Sequence, residues 1–166
     1  ARCGNVYGPG DLNFSRLIPD ALRSAHTKKE FKIRSDGTFR RDYVYIDDIV
    51  NAYLTLGRAL AKGKAAGEAF NFGENKPMSV VAMVKLIARL RSLKYRILGT
   101  ARLEIKHQYL DSRKARRVLQ LRPYTDSDLV RGISWACLAQ LERPNVVRTL
   151  RGNRRWSSSC NASARE

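Results

Sequence analysis

The sequence of 166 residues lacks any run of about 18 apolar residues, which excludes a helix crossing the bilayer. Its three cysteines, Cys3, Cys137 and Cys160, are far apart, form no Cys-x-x-Cys pair and have no histidine at ligand spacing. A disulfide framework and a zinc site are therefore not expected, and a reduced, cytoplasmic setting is. His26 and His107 are isolated, with no Cys, Asp or Glu partner at metal or triad spacing, so neither is assigned a catalytic or metal role. Neither Gly-x-Gly-x-x-Gly nor Gly-x-x-Gly-x-x-Gly occurs, which removes the usual dinucleotide cradle. The first residues, ARCGNVYG, have neither an initiator Met nor a charged-then-apolar signal pattern and read as the middle of a strand, so a fragment is expected.

Negative charge is also scarce. There are 15 Asp and Glu against 32 Lys and Arg, giving a net charge of +17 and a pI near 10.4. Such a balance implies anionic partners. The excess is spread along the chain, because 26 of the basic and 13 of the acidic residues fall within residues 1–140. No helix-turn-helix, ribonucleoprotein or zinc-finger pattern appears, so a specific nucleic-acid partner is not expected. A basic nucleic-acid-binding module stays open as the alternative, on the clusters Arg113 to Arg117 and Arg151 to Arg155.

Short strands alternating with helices predict an α/β fold. Residues 1–7 read as a strand running into the turn Gly8-Pro9-Gly10-Asp11. Leu17, Ile18, Ala21, Leu22 and Ala25 share one helical face, with Ser15 as the expected cap and Pro19 in the first turn. Phe31 to Arg34 and Phe39 to Ile46 read as extended, around a turn at Ser35-Asp36-Gly37. Asp47 is the expected cap of a helix carrying Ile49, Ala52, Tyr53, Leu56 and Leu60 inward. A strand at Ala69 to Phe72 follows, then a helix capped by Ser79 with Val80, Met83, Val84, Ile87 and Leu90 inward. Glu104 to Leu110 look extended, Asp111 opens a basic helix, and Asp126 or Ser127 opens a last one through Leu138. Two regions are expected: residues 1–140 as the folded, substrate-binding portion and residues 141–166 as a basic, disordered tail rich in Arg, Ser and Asn.

The stretch RCGNVYGPGD, followed in order by SRLIPDALR, IRSDGTFRRDYVYIDDIVNAYL, EAFNFGENKPMSV and EIKHQYLDSRKARRVL, resembles the NAD-dependent epimerase/dehydratase family. These are the extended short-chain dehydrogenases acting on nucleotide sugars. GDLNFSRLIP, IRSDGTF and EIKHQYLD are most similar to the CDP-glucose 4,6-dehydratase subfamily, with UDP-sugar epimerases or decarboxylases as the alternative. The resemblance implies the carboxyl-terminal, substrate-binding half of such a fold with the Rossmann half absent. It also implies a nucleotide-diphosphate sugar as partner and NAD as cofactor of the intact enzyme, a lyase, though not of this chain alone. Members pair through two helices of the other half, so oligomerisation is not expected here.

The resemblance also implies site residues. Asn5 matches a donor to the substrate diphosphate, although an Asn closing a turn before Tyr7 is the plainer reading. Arg16 and Leu17 match the start of the substrate-side helix, where a merely solvated Arg is equally open. Arg41 matches the arginine on the diphosphate or ribose and is preferred to Arg40, which points to the opposite face of an extended segment. Arginine suits this task because its planar fork gives two parallel hydrogen bonds. Arg102 is the second candidate clamp, and Glu104 is expected to accept a ribose hydroxyl or orient an arginine, unless the two form only a surface pair. Phe31 and Ile33 match the segment beside the nucleobase, and Asn71 a position near the substrate loop, though alternation on a half-buried strand and a strand-ending Asn explain them as well. Arg2, Cys3 and Gly4 match positions bordering the nicotinamide. The Asp47–Asp48 pair is read as helix-terminal rather than catalytic.

Tyr7, Tyr43, Tyr45 and Tyr53 are read as core or rim aromatics. The family's catalytic Tyr-x-x-x-Lys does not occur, so no residue is assigned to catalysis. Its Leu-Gly-Trp-x-Pro segment is replaced by Leu119-Gln120-Leu121-Arg122-Pro123, which removes a packing Trp.

Overall fold

Alternating short strands and helices arise here because the apolar residues recur first at period two and then at helical spacing. The computed structural model describes residues 1–101, 104–121 and 132–133. Strands β1 (Arg2–Cys3) and β2 (Asn5–Tyr7) lead to α1 (Leu17–His26), β3 (Phe31–Ile33), β4 (Arg40–Arg41) and β5 (Tyr43–Tyr45). Then come α2 (Ile46–Ala61), β6 (Asn71–Phe72), β7 (Met78–Ser79), α3 (Val80–Arg91), β8 (Tyr95–Ile97), β9 (His107–Gln108) and α4 (Arg113–Leu119). β1 pairs in parallel with β6, β2 with β5 and β3 with β8, while β4 lies between antiparallel β7 and parallel β9. Every parallel pair is joined through at least one helix, as parallel pairing requires.

Strand β5 divides the interior. Tyr43 and Tyr45 join a cluster with Ile18 and Leu22 of α1 and Met83 and Ile87 of α3. Val44 points the other way, into a cluster with Ile49, Ala52, Phe70, Phe72 and Ala115. Burial on both faces is what makes this strand read as continuously apolar. The helical faces of α1 and α3 are those the spacing predicts, and Ser79 caps α3 by accepting the Ala82 N–H at 3.2 Å. The expected turn at Ser35-Asp36-Gly37 is also present, with Gly37 at φ +85° and the Asp36 carboxylate accepting the Thr38 N–H at 2.8 Å.

Several local expectations differ. Arg16, not Ser15, is the N-cap residue of α1, and the Ser15 hydroxyl donates to Asn13 Oδ1 at 2.6 Å. The asparagine turn captures the hydroxyl before it reaches the helix. Helix α2 starts at Ile46 with Tyr45 at the cap and no side-chain cap bond, so Asp47 and Asp48 lie inside its first turn, where they complement the helix dipole. Tyr53 and Leu60 of α2 are half exposed rather than inward, because the second cluster covers only the stripe through Ile49, Ala52 and Leu56. α4 starts at Arg113, and Asp111 accepts that residue's N–H at 2.9 Å from just outside the helix. β8, Tyr95-Arg96-Ile97, escapes the sequence pattern and starts three residues after the left-handed Ser92 that ends α3. Residues 141–166, most of the expected last helix and the Arg122-Pro123 part of the altered segment lie outside the described residues.

Between β4 and β5 lies Asp42, 1% exposed. Its carboxylate accepts the Glu74 N–H at 3.0 Å and the Leu110 N–H at 3.4 Å, and its backbone carbonyl accepts the Asn5 N–H at 2.8 Å. A Cβ added to Gly73 would lie 2.0 Å from Asp42 Oδ2, so only glycine lets the loop after β6 approach this closely. Burial pushes the Asp42 carboxyl above its ordinary value, and the two N–H donors and the Arg116 charge pull it part of the way back.

Two stability outcomes follow from this environment. Gly73→Ala should lower the unfolding free energy by about 1–3 kcal/mol through overpacking, whereas Gly57→Ala, in α2 with no heavy atom within 4 Å, should raise it by about 0.5–1 kcal/mol. Urea denaturation of the two variants tests this, and an unperturbed Gly73→Ala contradicts the position of Asp42. The second outcome concerns pH. Because the folded pKa of Asp42 is raised, its contribution to stability is complete below the ordinary value of 3.8 and is lost as pH rises through the folded value. Asp111 runs the other way: its hydrogen bonds with Arg113 hold it at about 2, so its contribution is present above 3.8 and is lost as pH falls towards 2. The Asp111 slope is common to wild type and Asp42→Asn and cancels in their difference. The advantage of wild type over Asp42→Asn should therefore shrink as pH rises above the ordinary value of 3.8, and a constant or growing advantage contradicts the assignment.

Candidate functional site

A cavity of about 1290 Å³ opens between α1, β3 and the β4–β5 segment. Asn5, Arg16, Leu17, Phe31, Ile33, Arg41 and Glu104 all line it. These come from five separate stretches of sequence, and the parallel register Asn5↔Tyr43 is what sets β2 beside β5. Phe31 and Ile33, 5% and 2% exposed, give it an apolar wall, to which Pro19 and Val80 add.

Arg41 is the best placed cation. Its Nη1 donates to the carbonyls of Arg40 at 2.9 Å and Lys106 at 3.3 Å, and its Cζ lies 5.8 Å from the Phe39 ring centroid. Nη2 stands 3.9 Å from Glu104 Oε2, a charge contact too long for a good hydrogen bond. Among the described residues, Nε and Nη2 make no hydrogen bond, on a guanidinium that is already held in place. Arg40 points away and donates to the Pro77 carbonyl at 2.7 Å, the alternation expected of an extended segment.

Arg16 is engaged differently. Nη1 pairs with Asp11 at 2.7 Å and Nη2 donates to the Val6 carbonyl, so the side chain ties the turn at Gly8 to Gly10 back onto β2. Among the described candidates, Asn71 does not line the cavity. Asn71 donates to the Asp111 carbonyl at 3.1 Å, holding β6 to the start of α4, which explains this asparagine without a ligand. Arg102 lies outside the described residues.

Tyr43 is a cavity residue that sequence reasoning left among the core aromatics. It is 6% exposed, lines the cavity, and its hydroxyl has no hydrogen-bond partner among the described residues. Burial pushes its phenol pKa well up, with the Arg41 charge opposing, so the group stays protonated. Strict alternation in RRDYVYI puts Arg41 and Tyr43 on one face and was the available signal. Lys32 and Arg34 also line the cavity.

Among the described residues, the turn at residues 8–10 is shaped by packing. Gly8 is small because α2 approaches it, since a Cβ there would lie 2.4 Å from Ile46 Cγ2. Pro9 has no N–H to offer a phosphate, and the hollow beside this turn measures about 240 Å³. Arg2, Cys3 and Gly4 lie outside the large cavity. Arg2 is exposed on β1, the Cys3 thiol faces the Tyr53 hydroxyl at 3.9 Å, and Gly4 packs against Asp42. Among the described residues no group of three His, Cys, Asp or Glu is placed to hold a metal ion, and no helix is long and apolar enough to cross a membrane.

Residues 1–73 match the family described as "NAD dependent epimerase/dehydratase family". The chain is 36% identical over 89 residues to dTDP-D-glucose 4,6-dehydratase of Mus musculus, a match covering 54% of this chain and 24% of that protein. It is 30% identical over 139 residues to UDP-glucuronate 4-epimerase of Thermodesulfobacterium geofontis, covering 79% of this chain and 40% of that one. In structure it is similar to UDP-glucuronic acid 4-epimerase from Bacillus cereus, solved with UDP-glucuronic acid and NAD. The TM-score is 0.72 at 24% identity, over 84% of this chain and 44% of the epimerase. The chain thus spans less than half the length of each of these proteins. Residues 1–73 thus match the NAD dependent epimerase/dehydratase family, and over most of its length the chain is similar in fold to the Bacillus cereus protein.

Proposed function

We propose that this chain is the nucleotide-sugar-binding portion of an NAD-dependent sugar-nucleotide 4,6-dehydratase and that the large cavity receives the nucleoside diphosphate sugar. The observation that supports this reading most is the convergence of Asn5, Arg41 and Glu104 with the apolar pair Phe31 and Ile33 on one cavity. Such a ligand needs a guanidinium with free donors for its diphosphate, an apolar wall for its base and hydroxyl partners for its sugars. Arg41 and Asn5 fill the first role, Phe31 and Ile33 the second, and Glu104 the third. Within this class the proposal is a CDP-glucose type, on GDLNFSRLIP, IRSDGTF and EIKHQYLD. A UDP-sugar epimerase is the second reading, favoured by the Thermodesulfobacterium relative that covers 79% of the chain. No Tyr-x-x-x-Lys and no dinucleotide cradle occur in the sequence, so binding without turnover, and without NAD, is proposed for the chain by itself.

Titration calorimetry of the 166-residue chain with CDP-glucose, UDP-glucose and dTDP-glucose tests the reading. At least one ligand should bind at physiological ionic strength. Arg41→Ala should weaken that binding at least about tenfold, the loss of a charge-assisted hydrogen-bond pair, while Arg40→Ala should leave it nearly unchanged. Wild-type chain that ignores all three ligands ends the reading. Equal losses in the two arginine variants would reduce it to a general charge effect.

A further inference from the structure

Helix α2 carries a second apolar line, opposite the stripe through Ile49, Ala52 and Leu56 that it buries. Val50, Leu54, Gly57 and Ala61 recur there at spacings of four, three and four residues, and all four are exposed. Val50 is 50% and Leu54 55% exposed, and no neighbouring group lies within 4 Å of where a Gly57 side chain would begin. Such an alternation of four and three is the seam by which two helices pack along their length. Tyr53 and Leu60 widen the seam on one flank. On the other flank stand Asp47 and Arg58, both exposed and about three helical turns apart. That flank is acidic where the helix begins and basic where it ends, with Lys62 and Lys64 just beyond. A contiguous apolar face with a charged border of this kind marks an interaction surface.

We propose that this face of α2 is a homodimer interface, in which two copies of the chain set their α2 helices antiparallel about a two-fold axis near Leu54. The arrangement of charge selects a second copy as the occupant. A two-fold contact has to be complementary to itself, and antiparallel pairing achieves this by bringing Asp47 of each copy beside Arg58 of the other. Parallel pairing would set Asp47 against Asp47 and Arg58 against Arg58. The opposed helix dipoles act in the same sense. The apolar seam supplies the association, and the charges at its ends fix the orientation. None of these residues lines the large cavity, and β5 separates α2 from it, so the dimer leaves the cavity open. The proposal is independent of the nucleotide-sugar reading, and it assigns pairing to a helix of this chain where the family resemblance expected none.

Sedimentation equilibrium of the full chain over a range of concentrations supplies the test, with circular dichroism to establish that each variant folds. Wild type should pass from monomer to dimer in the micromolar range. Leu54→Lys should weaken pairing at least about tenfold, because it places two uncompensated charges in an apolar seam. Ile105→Lys, which adds the same charge at another exposed apolar residue, should leave pairing unchanged. Arg58→Asp sets acid against acid at both ends of the seam and should weaken pairing about fivefold. Combining it with Asp47→Arg should restore wild-type pairing. Wild type that stays monomeric at every concentration overturns the proposal and leaves the face to a different chain. A dimer indifferent to Leu54→Lys places the contact elsewhere, and equal losses in the two lysine variants reduce it to net charge; either result overturns the interface. A double charge variant that pairs no better than Arg58→Asp overturns the antiparallel arrangement.

Discussion

The position of the cavity depends on one buried carboxylate. Asp42 sits between two residues that face the cavity and itself faces away from it. It accepts backbone N–H groups from the loop after β6 and from the segment before α4, and its carbonyl holds Asn5. Placing a carboxylate at 1% exposure is unfavourable unless its lone pairs are engaged, and here two N–H groups and the Arg116 charge engage them. Three elements distant in sequence thus meet on one side chain. Arg41 and Tyr43 are fixed on either side of it, and Asn5 is fixed through its own N–H.

Strand β5 extends that constraint into the core. Its alternation sends Tyr43 and Tyr45 towards α1 and α3 and Val44 towards α2, β6 and α4. One strand of three residues therefore sets the cavity wall against one cluster while anchoring to the other. A slip of one residue would exchange the two faces, burying Asp42 among Ile18, Leu22 and Met83, where no backbone donor waits for it. The glycines at 4 and 73 enforce the register from the outside, since each leaves room only for this carboxylate.

Much of this was readable before any coordinates. The helices of α1 and α3, the Ser79 cap, the Gly37 turn and the Arg40–Arg41 alternation follow from spacing and turn chemistry, and the structure has them. What escaped depended on tertiary context. Ser15 and Asp47 are good cap residues by type, but an asparagine turn and an extended Tyr45 placed the helix starts one or two residues later or earlier. Asn71 was chosen by resemblance, and only the approach of the Asp111 carbonyl shows its structural bond. Tyr43 is the core aromatic its sequence suggests, whereas Asp42 was missed: in RRDYVYIDD every position looks like a strand residue, and nothing local reveals that this carboxylate finds backbone donors from two distant segments.

The net charge of +17 overstates the capacity of this chain for anions. Arg16, Arg23, Arg96, Arg113 and Lys114 each spend donors on a neighbouring carboxylate, and Arg40 and Arg116 spend theirs on backbone carbonyls. Exposed pairs of this kind contribute little to stability and are screened by salt, so they neither explain the fold nor define a binding surface. A specific site requires a cation that is oriented yet not exhausted, beside apolar surface that excludes water. Arg41 meets both conditions: two carbonyls orient its Nη1, Nε and Nη2 make no hydrogen bond among the described residues, and the Phe31–Ile33 wall lies in the same cavity. The distinction between a charged surface and a charged site therefore lies in donor accounting rather than in the number of basic residues, and by that criterion the cavity is a better candidate for the proposed anionic ligand than the basic helix α4.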